Sequence, residues 1–268
     1  MKIIADFSDI APSECGAELF DRLAVLLPEF VVAGSRGPLL RMRIPIEDPR
    51  YVIVRELFRQ AGFTPWQERE PKGARRPNEY FLAFLKRYEP DDYEASEFLM
   101  PSPPTDARFP GYKHDAAGLL CIESESTNRT ALSAAMAAKA GGVNELIVTS
   151  PVRATLETAR LARLVFRPIT FLDRDEKPIS WPGGQRWELT SDLTLPSAIP
   201  NPPRKWDEPR PQVARYLRSA LQRLLPFDLA HAFEQSGKRG RLVASRHFYQ
   251  FCTSQNIQMD WIPIQIED

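Results

Sequence analysis

The sequence is short of the side chains that most often do chemistry. It holds 3 histidines and 3 cysteines in 268 residues, as His114, His231, His247, Cys15, Cys121 and Cys252. No CxxC pair exists, so no zinc knuckle or dithiol redox motif can be written from it. An odd and scattered cysteine count also excludes a disulfide framework and suits a reducing compartment. Neither sign of charge is in excess, with Lys+Arg and Asp+Glu at 35 each, which removes the electrostatic case for nucleic acid as a partner. Apolar runs such as 23–27 fall far below the roughly 20 residues of a membrane-spanning helix. The opening MKIIADFSDI carries an acid by position 6 and lacks the apolar centre of a leader, so the cytoplasm is the expected location. Gly141-Gly142 and Gly183-Gly184 are not followed by phosphate-loop residues, and no cofactor is expected.

What the sequence does have is proline, 25 in all, and an internal likeness. Residues 147–169 (IVTSPVRATLETARLARLVFRPI) align without a gap on 242–264 (LVASRHFYQFCTSQNIQMDWIPI) at a spacing of 95, with 5 of 23 positions identical. In each, an apolar run of strand length ends at a serine, Ser150 or Ser245. A hydroxyl there can accept from the free N–H groups of a first helical turn, so both serines are read as helix caps. Val152, Leu156 and Ala159, and Phe248, Phe251 and Cys252, then mark one face of a short helix. Leu164/Phe166 and Met259/Trp261 alternate as a strand closed by proline. The expected fold is α+β. Short strand–helix–strand units at 145–169 and 241–264 lie in a C-terminal region, 111–268, and a smaller α/β N-terminal region spans 1–100.

Within the first region, strands are expected over 2–7, 30–33, 39–44 and 80–85, with helices over 14–27 and from Asp48-Pro49 to Gly62. A helix beginning at the acidic 89–92 is expected to run through 93–99. The alanine-rich 131–140 reads as a helix by propensity, as does 212–225 by the spacing of its apolar residues. Residues 196–211 hold too many prolines for a helix or inner strand and form the connection between the two units.

Neither serine has the small flanking residues of a nucleophile elbow, since Val148/Val152 and Val243/His247 stand there instead. Asp91-Asp92 and Glu123/Glu125 are carboxylate pairs on a helix start and a loop, where solvation explains them. Trp181 and Trp206 sit in loops rich in proline and glycine. With Arg204 and Asp207 beside Trp206 they are the candidate partner-binding residues, because aromatic and guanidinium anchors dominate interfaces.

Five stretches carry a family likeness: RYEPDDYEASEFL (87–99), GYKHDAAGLLC (111–121), the ELIVTS…FRPI segment (145–169), RWELTSDLTLP (186–196), and FDLAHAF…LVASRHFYQF…MDWIPI (227–264). On these the chain resembles the bacterial double-CXXCG-motif proteins, some of which are immunity proteins of polymorphic-toxin systems. The paired CXXCG knuckles are missing: Cys121 stands where a first cysteine would, but 122–124 offer it no partner. A zinc role is therefore not carried over. The resemblance implies a non-enzymatic protein that binds and neutralises a cognate toxin, with no catalytic residues. Two alternatives come from other classes: a hydrolase using Ser150 or Ser245, and a structural adaptor that self-associates.

Overall fold

The computed structural model describes residues 1–10, 12–27, 31–34, 37–65, 79–103, 108–109, 112–124, 134–139, 146–181, 183–200, 214–232 and 241–268. The fold is α+β and comprises two compact units, the first made by Met1–Glu89 and the second by Pro90–Pro200 with Val213–Asp268. The second starts inside the 1–100 region expected from the sequence, because Phe98–Ser102 is one of its inner strands. No helix of the described residues is long and apolar enough to cross a membrane.

The first unit runs β1 (Lys2–Ile10), α1 (Pro12–Leu26), β2 (Val31–Gly34), β3 (Gly37–Pro45), α2 (Pro49–Gln60), β4 (Thr64–Pro65), β5 (Glu79–Arg87). Its sheet order β2-β3-β1-β5-β4 is antiparallel through β5, the split βαβ pattern of ferredoxin-like folds. Alternation along β1 sends Ala5 and Phe7 into the core, and Phe7 stacks on Phe58 and Tyr80. Asp6 points the other way, 3.2 Å from Arg43 Nε. Helix α2 begins where Asp48 accepts from the Arg50 N–H at 2.9 Å and stops before Gly62, whose φ of 78° favours glycine.

The second unit runs α3 (Pro90–Ala95), β6 (Phe98–Ser102), β7 (Arg108–Phe109), β8 (Tyr112–His114), β9 (Leu120–Glu123), β10 (Met136–Lys139), β11 (Leu146–Thr149), α4 (Ser150–Thr158), β12 (Leu164–Pro168), β13 (Thr170–Leu172), β14 (Pro178–Ile179), β15 (Arg186–Ser191), β16 (Arg215–Leu217), α5 (Arg218–Gln222), β17 (Leu229–His231), β18 (Leu242–Ser245), α6 (Arg246–Ser254), β19 (Asp260–Pro263) and β20 (Gln265–Glu267). Three expectations fail here. Within 131–140, residues 136–139 are strand β10, because a ladder to β11 on one side and β7 on the other outweighs alanine's helix preference. Within 93–99 the helix ends at Ala95 and Phe98 opens β6. Within 212–225 a three-residue strand precedes a five-residue helix.

Two sheets dominate this unit, ordered β12-β15-β11-β10-β7 and β17-β18-β6-β19. In the first, α4 carries the chain from β11 to β12, and β15 lies between those strands, antiparallel to both. In the second, α6 carries it from β18 to β19, with β6 between. The inserted strand comes from downstream in one sheet and from upstream in the other. Residue pairs correspond: Met136 faces Val148 as Leu229 faces Ala244, Thr149 faces Arg186 as Ser245 faces Phe98, and Pro168 faces Trp187 as Pro263 faces Leu99. The Ile169 N–H donates to Arg186 O and the Ile264 N–H to Phe98 O, both at 3.1 Å. In two smaller sheets, β13 pairs in parallel with β9 and β20 with β16.

Both faces of β11 and β18 are covered, which explains their unbroken apolar runs. Leu146 and Val148 join the core beneath α4 and α6, with Leu156, Leu189, Phe248 and Cys252. Ile147 faces the opposite way, toward Phe109, Ile122 and Phe171. Val243 likewise faces Phe98, Tyr216 and Phe227.

Candidate functional site

Thr149, not Ser150, precedes α4, and its side chain accepts from the Val152 N–H at 3.4 Å. Pro151 then sits inside the first turn, where a missing N–H costs nothing. Ser245 caps α6 as expected, accepting from the Phe248 N–H at 3.1 Å. The caps are thus Thr149 and Ser245, 96 positions apart, whereas the strand-closing prolines, Pro168 and Pro263, are 95 apart. The left-handed residues after the two helices, Arg160 and Asn256, also keep the 96 spacing (φ 53° and 54°). The ungapped alignment therefore matched the second strands and ran one residue out of step over the helices.

Released from capping, Ser150 joins a surface cluster. Its hydroxyl donates to Gln185 O and accepts from Trp187 Nε1–H, each at 3.1 Å. One turn on, the Arg153 guanidinium lies 3.7 Å from the Trp187 ring centre and 5.6 Å from that of Phe166, while Arg153 Nε donates to Glu157 at 2.8 Å. A guanidinium held over an indole is a cation–π contact of about 0.5–1 kcal/mol where exposed. The i, i+3 spacing of Ser150 and Arg153 was visible in the sequence; Trp187, delivered by β15, was not.

Ser245 belongs to the other cluster. Its hydroxyl donates to Asp228 Oδ1 at 2.5 Å, and His247 Nδ1 lies 3.1 Å from the same oxygen. Asp228 Oδ2 accepts from the Ala162 N–H at 2.8 Å, and the backbone of Asp228 bonds to Ala162 O and the Ser245 N–H. A serine hydrolase places its histidine between serine and carboxylate, so that imidazole can take the hydroxyl proton. Here the carboxylate holds the middle place, and the serine oxygen is engaged by the helix it caps. The arrangement ties strands β17 and β18 to the loop after α4.

A third polar group is interior. Arg186, Glu188 and Thr190 alternate along one face of β15 and are all buried, as is His231, whose Nε2 is 2.7 Å from Thr190 Oγ1. Arg186 Nη1 donates to Ala134 O at 2.7 Å, and burial pulls its guanidinium below its usual pKa.

Trp181 is half-buried, stacked on Phe171 at 4.1 Å and edge-on to Phe109, so its ring packs under its own loop. Trp206, Arg204 and Asp207 lie outside the described residues, as does most of the 196–211 connection. Among the described residues no group of three His, Cys, Asp or Glu could hold a metal ion. Cys121 is buried, and burial raises its thiol pKa.

Cys252 is inaccessible, and burial pushes its thiol up to about 12 from 9.0. An acid whose folded pKa is raised contributes stability that is whole below its unfolded pKa and lost as pH rises toward the folded one. Stability should therefore fall above pH 9 by about 1.4 kcal/mol per pH unit from this thiol, measured as urea midpoints from pH 8 to 10. A thiol reagent at pH 8 should leave Cys252 unlabelled until the chain unfolds. Prompt labelling of the native protein at Cys252 would refute this account.

No protein-family model matches the chain, and no curated protein matches it in sequence.

Proposed function

We propose that the chain is a non-catalytic, immunity-type protein that binds a cognate bacterial toxin in the cytoplasm and neutralises it. The observation that carries this reading is the Arg153–Trp187–Phe166 cluster, where a helix and two strands hold an arginine and a tryptophan together at a partly exposed face. Tryptophan and arginine head the residue types whose truncation costs most at interfaces. With charges balanced overall, recognition rests on shape and aromatic contact, with a mild salt dependence. An interface of standard size would bury about 1,600 Å² in total.

The reading extends to the fold. The two sheets are taken as copies of one strand–helix–strand plan whose leading strands, β6 and β15, have changed places. Matching ladder registers, matching cap positions and the paired left-handed residues support it. So does the parallel pairing of β13 with β9 and of β20 with β16.

The test is co-purification with the toxin-bearing product of an adjacent gene, followed by growth rescue. Trp187→Ala and Arg153→Ala should each weaken binding by about 2 kcal/mol, near thirtyfold. Arg153→Ala should keep a thermal midpoint close to that of the parent, while Trp187→Ala, which also removes packing on the core, is read at a temperature well below its own midpoint. A chain that captures no neighbour and rescues no toxin would sink the proposal.

A further inference from the structure

The two crossover strands differ at their outer edges. Strand β19 is lined by α3, and its Trp261 and Pro263 are buried. Strand β12 ends its sheet, pairs with β15 on one side, and has no described strand on the other. None of its five residues is buried. Because the Ile169 N–H donates inward to Arg186 O, the antiparallel alternation turns Val165 and Arg167 toward β15 as well. Leu164 and Phe166 are left presenting backbone N–H and C=O groups outward. Pro168, which has no N–H, closes the edge.

Charge narrows what can add there. Arg160 and Arg163 precede the strand and Arg167 lies within it. Arg163 reaches Asp192 at 3.3 Å, while Arg160 and Arg167 have no ion-pair partner among the described residues. Two β12 strands paired about a twofold axis with Leu164 opposite Phe166 would set Arg163 of one copy opposite Arg167 of the other, and like charges facing across a ladder are destabilising. A second copy is therefore a poor occupant. On the helix side, Phe166 and the Arg153–Trp187 stack offer a semi-apolar wall for alternate side chains of an added strand.

We infer that the outer edge of β12 receives an extended, acidic segment of a partner polypeptide as an added strand. Main-chain bonds would give affinity, and alternate side chains and the arginines would give selectivity. This rests on the binding reading above and names the chemistry of the partner. Strand addition asks for about four to five residues, the length left open before Pro168.

The test uses the full chain and a labelled decapeptide alternating valine with glutamate and threonine, against its counterpart with lysine for glutamate. Fluorescence anisotropy should show the acidic peptide binding about tenfold tighter or more. The double variant Arg160→Glu with Arg167→Glu should invert the preference. Amide exchange at Leu164 and Phe166 should slow by about tenfold or more with the acidic peptide bound. Equal binding of both peptides, or unchanged exchange at those two amides, overturns the inference. Toxin neutralisation that survives the charge reversal also overturns it while leaving the immunity reading standing. Peptide binding with slowed exchange in a chain that neutralises nothing supports the edge and removes the immunity reading instead.

Discussion

Cut at Gly183–Gly184 and expressed as separate pieces, the chain should lose its second unit in both, and mixing the pieces should restore it. The expectation follows from where the inner strands originate. Strands β11 and β12 and the helix α4 between them precede the cut, but β15, which bonds to both strands, follows it. Reciprocally, β18, α6 and β19 follow the cut, while β6 precedes it. Each piece would carry a helix crossover over an empty strand position, with the backbone groups of two strands unpaired. A buried, unpaired backbone group costs about 1–3 kcal/mol, and one missing central strand leaves several of them. The loss is comparable with the roughly 5–15 kcal/mol that holds a typical domain folded. Near-ultraviolet circular dichroism and cooperative urea unfolding would report it. The first unit, whose strands β1 to β5 all precede the cut, should keep its own transition within the longer piece. A C-terminal piece that unfolds cooperatively by itself would rule out the strand exchange.

That dependence explains what could be read from the sequence and what could not. Elements fixed by local chemistry were legible. Asp48-Pro49 announces α2 and Gly62 ends it, and the LIVT and LVAS runs are strands because both of their faces are covered. Elements fixed by distant partners were not. Met136–Lys139 has helix-forming composition and becomes a strand because β11 is beside it; Phe98 becomes a strand because it completes a sheet with residues near 244 and 263. The cap at Ser245 was visible, yet the one at Thr149 was displaced by a residue. From cap to closing proline the first unit, 149–168, is one residue longer than the second, 245–263, and an ungapped alignment spreads that difference over the helices. Asp228 gave no signal: it touches Ala162 across 66 positions and lies in a stretch without periodicity.

Replacing Asp228 by alanine should therefore be among the most costly single changes outside the apolar core, about 3–5 kcal/mol. The carboxylate is almost covered and accepts from the Ser245 hydroxyl and the Ala162 N–H, with His247 Nδ1 at 3.1 Å. Alanine would strand both donors beside a void. Asparagine fills the space and can still accept, but it lacks charge and points an NH2 toward one of them, so a smaller loss of about 1–2 kcal/mol is expected. Ser245→Ala removes the Phe248 cap and one Asp228 contact, worth roughly 1–2 kcal/mol. His247→Ala should cost least, since its side chain is 64% exposed. The order Asp228, Ser245, His247 is that of a structural tie. In a catalytic triad, loss of serine or histidine would erase turnover and barely move stability. Urea midpoints for the three alanine variants, with partner binding followed in parallel, separate the two. A protein as stable without Asp228 as with it would mean that the carboxylate does not tie the loop after α4 to β17 and β18.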